Sequence, residues 1–332
     1  MKNPYLLVLA CFFLLTHLHA QKDLDSLRVI YTKDVHHERR LDACLQLVQE
    51  LHAVDPAQAM SIIKQGLKLA TQSAQPDYRL KLQVQKARIR LKQKAYLPAI
   101  ALLKEVGKDA EAYQLPEIQA EAYFFLGHAD LSQKLHEEAL FSFQHSYTFY
   151  QKVGDHVGMG KCLLNMGVSH HAKGEITKAL ELYKESLAKG ERTGEGSIVF
   201  RSLKNIGNIH LAQGNYTKAL DYYQKAQQLA TKLGEKKQIA FVLYDIGNIY
   251  LNLGDYPSAI RNYEEGLVLS TNAGLQEQEA YGLHELGNVF ANQGNYDKAL
   301  SYYEEALELG EKFGNKNLII SILFNLGNTL LY

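Results

Sequence analysis

The sequence predicts an all-α fold, a solenoid of antiparallel helix pairs. Three observations lead there. The first is a repeat of fixed period. The stretch at 286–303, LGNVFANQGNYDKALSYY, returns at 246–263 and at 206–223, with fainter copies at 166–183 and 126–143. Its first Gly falls at Gly127, Gly167, Gly207, Gly247, Gly287 and Gly327, always 40 residues apart. Self-similarity at such a period marks a repeat array, in which each unit leaves an apolar face for its neighbour to cover. The second is a column of alanines at the same spacing: Ala59, Ala99, Ala139, Ala179, Ala219, Ala259 and Ala299. It extends the register to two earlier repeats where Leu47 and Ala87 stand in place of the Gly. The third is punctuation. Gly174, Gly214, Gly254 and Gly294 end one predicted helix of a repeat, and Gly154, Gly194, Gly234, Gly274 and Gly314 end the other. Pro56, Pro76, Pro98, Pro116 and Pro257 all fall where a helix should begin.

In chain order, residues 1–20 stand apart. Lys2 precedes the apolar run YLLVLACFFLL at 5–15, and Ala20 ends a short polar stretch. The run is too short to span a bilayer comfortably, and the arrangement reads as a secretory signal peptide cleaved after Ala20. The expected location is therefore exported, periplasmic or secreted. Residues 21–39 read as an N-terminal capping helix, with Leu24, Leu27, Val29 and Ile30 available for burial. Residues 40–119 form two degenerate repeats. Five clearer repeats follow at 120–159, 160–199, 200–239, 240–279 and 280–319. Residues 320–332 make an incomplete eighth repeat, helix A only, ending on an apolar edge that predicts either a second chain or a longer protein.

Numbering each repeat so that Gly127 is position 8, helix A ends near position 14 and helix B spans about 17–34. Gly at position 8 and Ala at 20 let the two helices approach. Position 27 is also small, as in Ser146, Ser186, Ala226, Gly266 and Ala306. Large residues fill the space between, with Leu163 to Leu323 at position 4 and Phe143, Tyr183, Tyr223, Tyr263 and Tyr303 at position 24.

This small-and-large pattern resembles the tetratricopeptide repeat family, well over 120–319 and weakly over 40–119. The period of 40, the lack of Trp and the Gly at position 35 depart from the usual 34-residue, Trp- and Pro-bearing repeat. They are similar to the long-helix variety that includes the Leu-Gly-Asn adaptors. The resemblance implies a right-handed superhelical array that binds proteins or peptides in a concave groove lined by helix A. Asp25-Ser26-Leu27, Asp55-Pro56 and Ala59 also resemble the exported repeat regions of bacterial sensor histidine kinases.

The groove expectation is residue by residue. Position 9 holds Asn208, Asn248, Asn288 and Asn328, and position 6 holds Asn165, Asn205, Asp245, Glu285 and Asn325. Asn both donates and accepts, so a ladder of them can pair with an extended peptide backbone. Lys204, Tyr244, His284, Asn252 and Asn292 would border it. The alternative is that the position 9 Asn packs and bonds between adjacent A helices, and both can hold.

Other features carry less. Lys plus Arg and Asp plus Glu balance at 36 each, so no field favours nucleic acid or an anionic membrane. GDHVGMGKC at 154–162 mimics a phosphate loop but has the wrong spacing, Cys162 for Ser or Thr, and no strand before it. His36-His37 and His170-His171 lack partners at metal-ligand spacing, and His170 and His210 read as packed residues. Asn215-Tyr216-Thr217 matches a glycosylation sequon within an ordinary repeat turn. Cys44 and Cys162 read as small core residues, three repeats apart. No nucleophile and base come together, so the chain is expected to be a non-enzymatic scaffold without cofactor, metal, nucleic acid or small-molecule substrate. Its expected partner is a protein or extended peptide, with a homodimer through the uncapped C-terminal edge as a further expectation. The runner-up reading is a truncated extracytoplasmic sensory module of a signalling protein such as a histidine kinase.

Overall fold

A computed structural model describes residues 24–34 and 36–331. The expected signal peptide, residues 1–20, lies outside them. All regular structure among the described residues is α-helix. The chain divides into two compact units, Met1–Lys173 and Gly174–Tyr332.

The first unit holds α1 (24–33), α2 (His37–Val54), α3 (Pro56–Gln72), α4 (Pro76–Lys92), α5 (Tyr96–Ala112), α6 (Pro116–Ser132), α7 (His136–Val153) and α8 (His156–Ala172). The second holds α9 (Ile176–Thr193), α10 (Gly196–Ala212), α11 (Tyr216–Leu233), α12 (Lys236–Asn252), α13 (Tyr256–Asn272), α14 (Gln276–Asn292), α15 (Tyr296–Phe313) and α16 (Lys316–Thr329). Even-numbered helices from α2 are the A helices of the repeats, and odd-numbered helices from α3 are the B helices. Within each unit a helix packs on its successor, and the A helices of neighbouring repeats also touch, as α2 does α4 and α14 does α16.

Local chemistry explains the boundaries. Pro56, Pro76 and Pro116 open their helices at the position where a missing N–H is harmless. Asp55 accepts from the Gln58 amide at 2.9 Å and Asp155 from Gly158 at 2.9 Å, each satisfying one of the orphan donors at a helix start. At the other end the chain reverses through a left-handed residue every 20 residues, from Ala74 to Gly314. The amide that follows closes a bond to the carbonyl five residues back, as Asn295 does to Phe290 at 2.9 Å.

The packing pattern has a concrete cause. The position 24 ring lies flat on the position 8 Gly of its own repeat. A Cβ at Gly127 would meet Phe143 at 2.6 Å, at Gly207 Tyr223 at 2.6 Å, and at Gly287 Tyr303 at 2.5 Å. The alanines of position 20 and the rings of position 24 are all fully buried.

The N-terminal helix differs in part from expectation. Leu24 and Leu27 pack on the first core, but Val29 and Ile30 face solvent. The buried anchor is Tyr31, whose hydroxyl donates to Gln65 Oε1 at 2.9 Å and whose carbonyl accepts from Arg40 Nε at 2.9 Å. Cys44 and Cys162 are free, buried thiols, and burial pushes each up to about 12. Among the described residues no helix is long and apolar enough to cross a membrane.

Candidate functional site

In the second unit α10, α12, α14 and α16 present the asparagine column. Because the position 24 ring crosses helix A over the Gly, its hydroxyl emerges beside the next residue, which is the Asn. Tyr223 donates to Asn208 Oδ1 at 2.6 Å, Tyr263 to Asn248 Oδ1 at 2.6 Å and Tyr303 to Asn288 Oδ1 at 2.8 Å. Burial raises all three phenols, Tyr303 to about 12, so each remains a donor at neutral pH. With Oδ1 held from one side, each amide N–H pair is turned the other way. That of Asn208 meets no acceptor among the described residues. The Asn248 side chain lies within reach of the Tyr281 hydroxyl, and Asn288 donates to Glu285 Oε2 at 3.1 Å.

Charged groups link neighbouring A helices across the same face. Lys204 of α10 reaches Asp245 of α12 at 3.1 Å and sits over the Phe241 ring at 4.9 Å. Burial raises the Asp245 carboxyl above its ordinary range, Lys204 opposes that shift, and Glu285 adds to it. Asn325 of α16 donates to Asn288 Oδ1 at 2.8 Å and approaches His284 Nε2 at 3.0 Å. An Nε2 that accepts puts the imidazole proton on Nδ1, which lies 3.6 Å from Glu285.

Two hollows lie along this face. One of about 430 Å³ is lined by Asn288, Asn292, Asn325 and Asn328 with Tyr303 at its side. The other, of about 500 Å³, is bordered by Phe241, Tyr281, His284 and Glu285. Asn252, Asn292 and Asn328 are exposed, whereas Asn205, Asn208, Asn248, Asn288 and Asn325 are half-buried. His284 and Glu285 are buried to less than a tenth exposure, so only an edge of each borders the second hollow.

Two expected groove residues are placed elsewhere. Tyr244 is fully buried: Gly266 and Gly282 leave room for its ring, and its hydroxyl pairs with Ser270 at 3.1 Å. It holds repeats together and meets no ligand surface. Asn165 lies in α8 of the first unit, buried, with its amide donated to the Lys161 carbonyl at 2.8 Å. Adjacent A helices are joined at the column between Asn325 and Asn288, and the Tyr281 hydroxyl of α14 also reaches Asn248 of α12. Elsewhere the Asn oxygen is tied within its own repeat.

Sequence reasoning missed the orienting role of the position 24 tyrosines, and it did not single out Phe241 and Tyr281 although the family resemblance puts their position 2 on the concave side. The first was legible as a co-occurrence: wherever position 9 is Asn and its helix B is present, position 24 is Tyr (Tyr223, Tyr263, Tyr303). The other readings resolve locally. His210 is half-buried and stacks on Tyr222 at 5.6 Å between centroids. Gly154 is a left-handed turn, and Gly158 and Gly160 are buried inside α8. Among the described residues no group of three His, Cys, Asp or Glu is arranged to hold a metal ion. What the face offers is a row of oriented amides with aromatic and charged neighbours, the complement of a polypeptide backbone.

The chain matches the family profile of the tetratricopeptide repeat over residues 118–191, 199–270 and 278–332. No curated protein matches it. Several solved structures are similar in fold. A Rap protein complexed with competence and sporulation factor is 16% identical, covers 89% of this chain and 86% of its own, and gives a TM-score of 0.63. The apo quorum sensor NprR from B. thuringiensis is 14% identical, covers 95% and 94%, and gives 0.61. A signal transduction ATPase with a tetratricopeptide repeat sensor from Pyrococcus horikoshii is 17% identical, covers 93% and 51%, and gives 0.66.

Proposed function

The chain belongs to the tetratricopeptide repeat family, and on that footing we propose that it is a non-enzymatic scaffold binding a protein or extended peptide along the A-helix face of its second unit. One observation carries this reading. Asn208, Asn248 and Asn288 are each held by the hydroxyl of a buried tyrosine, which leaves a row of side-chain amides pre-oriented along the A-helix face. Fixing side chains before binding removes part of the ordering cost of association. Exposed Asn252, Asn292 and Asn328 extend the row, and half-buried Asn205 and Asn325 flank it. Lys204 and Asp245 are paired with each other and His284 and Glu285 are buried, so these four set the local field and Phe241 and Tyr281 supply apolar contact. The similar Rap structure, solved with competence and sporulation factor, supports a partner of this kind.

Export belongs to the same proposal and rests on residues 1–20, with cleavage after Ala20. The input-module alternative has one point in its favour: a similar fold serves as the tetratricopeptide repeat sensor of a signalling ATPase. Self-association is proposed through the exposed Ile320, Leu323 and Phe324 of α16; a monomer by sedimentation at every concentration would contradict it. For the groove, a partner captured by the full chain is cross-linked and the contacts mapped by mass spectrometry. Contacts clustered on α10, α12, α14 and α16 are expected. Contacts confined to the B helices would refute the reading.

A further inference from the structure

The first unit has a cavity of its own on the A-helix side, about 520 Å³, with walls from α2, α4, α6, α7 and α8. Its chemistry differs from the asparagine row, and nothing proposed for the second unit bears on it. Three polar groups in its lining lack partners. Gln85 of α4 is only 6% exposed, and its Oε1 meets no donor. Buried amide oxygens in folded proteins are nearly always satisfied, so an orphan facing a cavity calls for a donor from outside the chain. Repeat 1 carries Leu45 in the same column, also against this cavity, so packing does not demand a polar residue at position 6.

Glu121 of α6 makes no hydrogen bond or close ion pair among the described residues. Burial raises its carboxyl, and the pull of Arg88, Lys81 and Lys161 opposes that without contact. Tyr150 of α7 has its ring clamped against Gly158 and its hydroxyl unbonded. Lys161 completes the wall with an ammonium that has no paired carboxylate, while Lys81 is drawn to Asp77 at 3.5 Å and Asp155 is engaged in capping α8. An acceptor, an anion, a hydroxyl and a cation thus converge on one space. Their complement is a donor-rich cation next to an oxygen acceptor. Among common biological groups an α-ammonium beside a carbonyl or carboxylate has that form.

We propose that this cavity binds the α-ammonium end of a peptide or amino acid. Gln85 and Glu121 take the N–H donors, and Lys161 and Tyr150 take the adjacent carbonyl or carboxylate oxygen. The ring of Tyr150, fixed by Gly158, sets the depth to which the end enters.

The test is calorimetric titration of the full chain with trialanine, N-acetylated trialanine and free L-alanine. Trialanine is expected to bind saturably and its acetylated form about tenfold more weakly or worse, as the loss of charge-assisted hydrogen bonds implies. Binding of L-alanine as well assigns the site to amino acids, and binding of trialanine alone assigns it to peptide termini. Gln85→Leu is expected to lose about tenfold in affinity while melting no lower than the wild type, since an orphan acceptor is removed. Should that variant fail to fold, the near-isosteric Glu121→Gln reads the same loss. Absence of binding by both trialanine and L-alanine, equal binding of the acetylated peptide, or wild-type affinity in a folded variant would overturn the proposal.

Discussion

The turns between residues 74 and 135 and those between 154 and 315 trace the same backbone with different residues. In the later set every left-handed position is Gly, with φ from 64° to 80°. In the earlier set Ala74, Lys94, Gln114 and Lys134 hold φ of 52° to 61°. The closing hydrogen bond is the same in both, 2.9 Å from Ala95 to Arg90 and 2.8 Å from Asn215 to His210. Helix ends and their packing therefore impose the turn, and Gly only relieves the strain of a left-handed Cβ. The same contrast holds inside the repeats. Where later repeats join position 24 to position 9 by a Tyr–Asn hydrogen bond, repeat 3 sets His128 edge-on to Phe143 at 5.5 Å. The early repeats keep the architecture and omit the amide row.

Substitutions can break or sharpen this comparison. The largest effect is expected at the Gly under the ring. Gly247→Leu drives a side chain into Tyr263 and should cost about 1–3 kcal/mol or more; an unchanged unfolding midpoint would remove the packing account. Next is the left-handed turn. Gly214→Ala should cost about 1–2 kcal/mol, read from the urea midpoint. Tyr263→Phe deletes the bond to Asn248 and should cost about 0.5–1.5 kcal/mol, with no counterpart in repeat 3, where Phe143 already lacks the hydroxyl. The smallest is a gain: Lys94→Gly should stabilise by under about 1 kcal/mol, because the added freedom of the unfolded chain offsets part of the relief. Equal midpoints for Lys94→Gly and wild type, beside a clear loss at Gly214→Ala, would mean the early turns are not strained.

Much of the fold was legible in advance. A spacing of 40 is a property of sequence alone, and helix B of several repeats begins and ends where Gly and Pro punctuation places it, as in Ile176–Thr193 and Tyr296–Phe313. The early turns lacked a residue that favours positive φ; the alanine column and Pro76, Pro98 and Pro116 located them. Val29 and Ile30 looked buried on periodicity, yet Tyr31 is the residue that turns toward α2 and α3.

The site was legible as a column and not as a mechanism. The Tyr–Asn bonds join residues 15 apart on different helices, and their existence depends on how the two helices rotate about their axes, which no periodicity states. Tyr244 was misplaced for a related reason. Its position faces the groove in the family pattern, but two glycines, one in its own helix B and one in the next helix A, open a hole that draws the ring inward.

The most direct test is the affinity of a captured partner for Asn208→Ala/Asn248→Ala/Asn288→Ala at a temperature where both proteins are fully helical. A loss of about tenfold or more, with helical content retained, is the predicted result. Wild-type affinity in the folded triple variant would contradict the claim that the oriented amides are the binding surface.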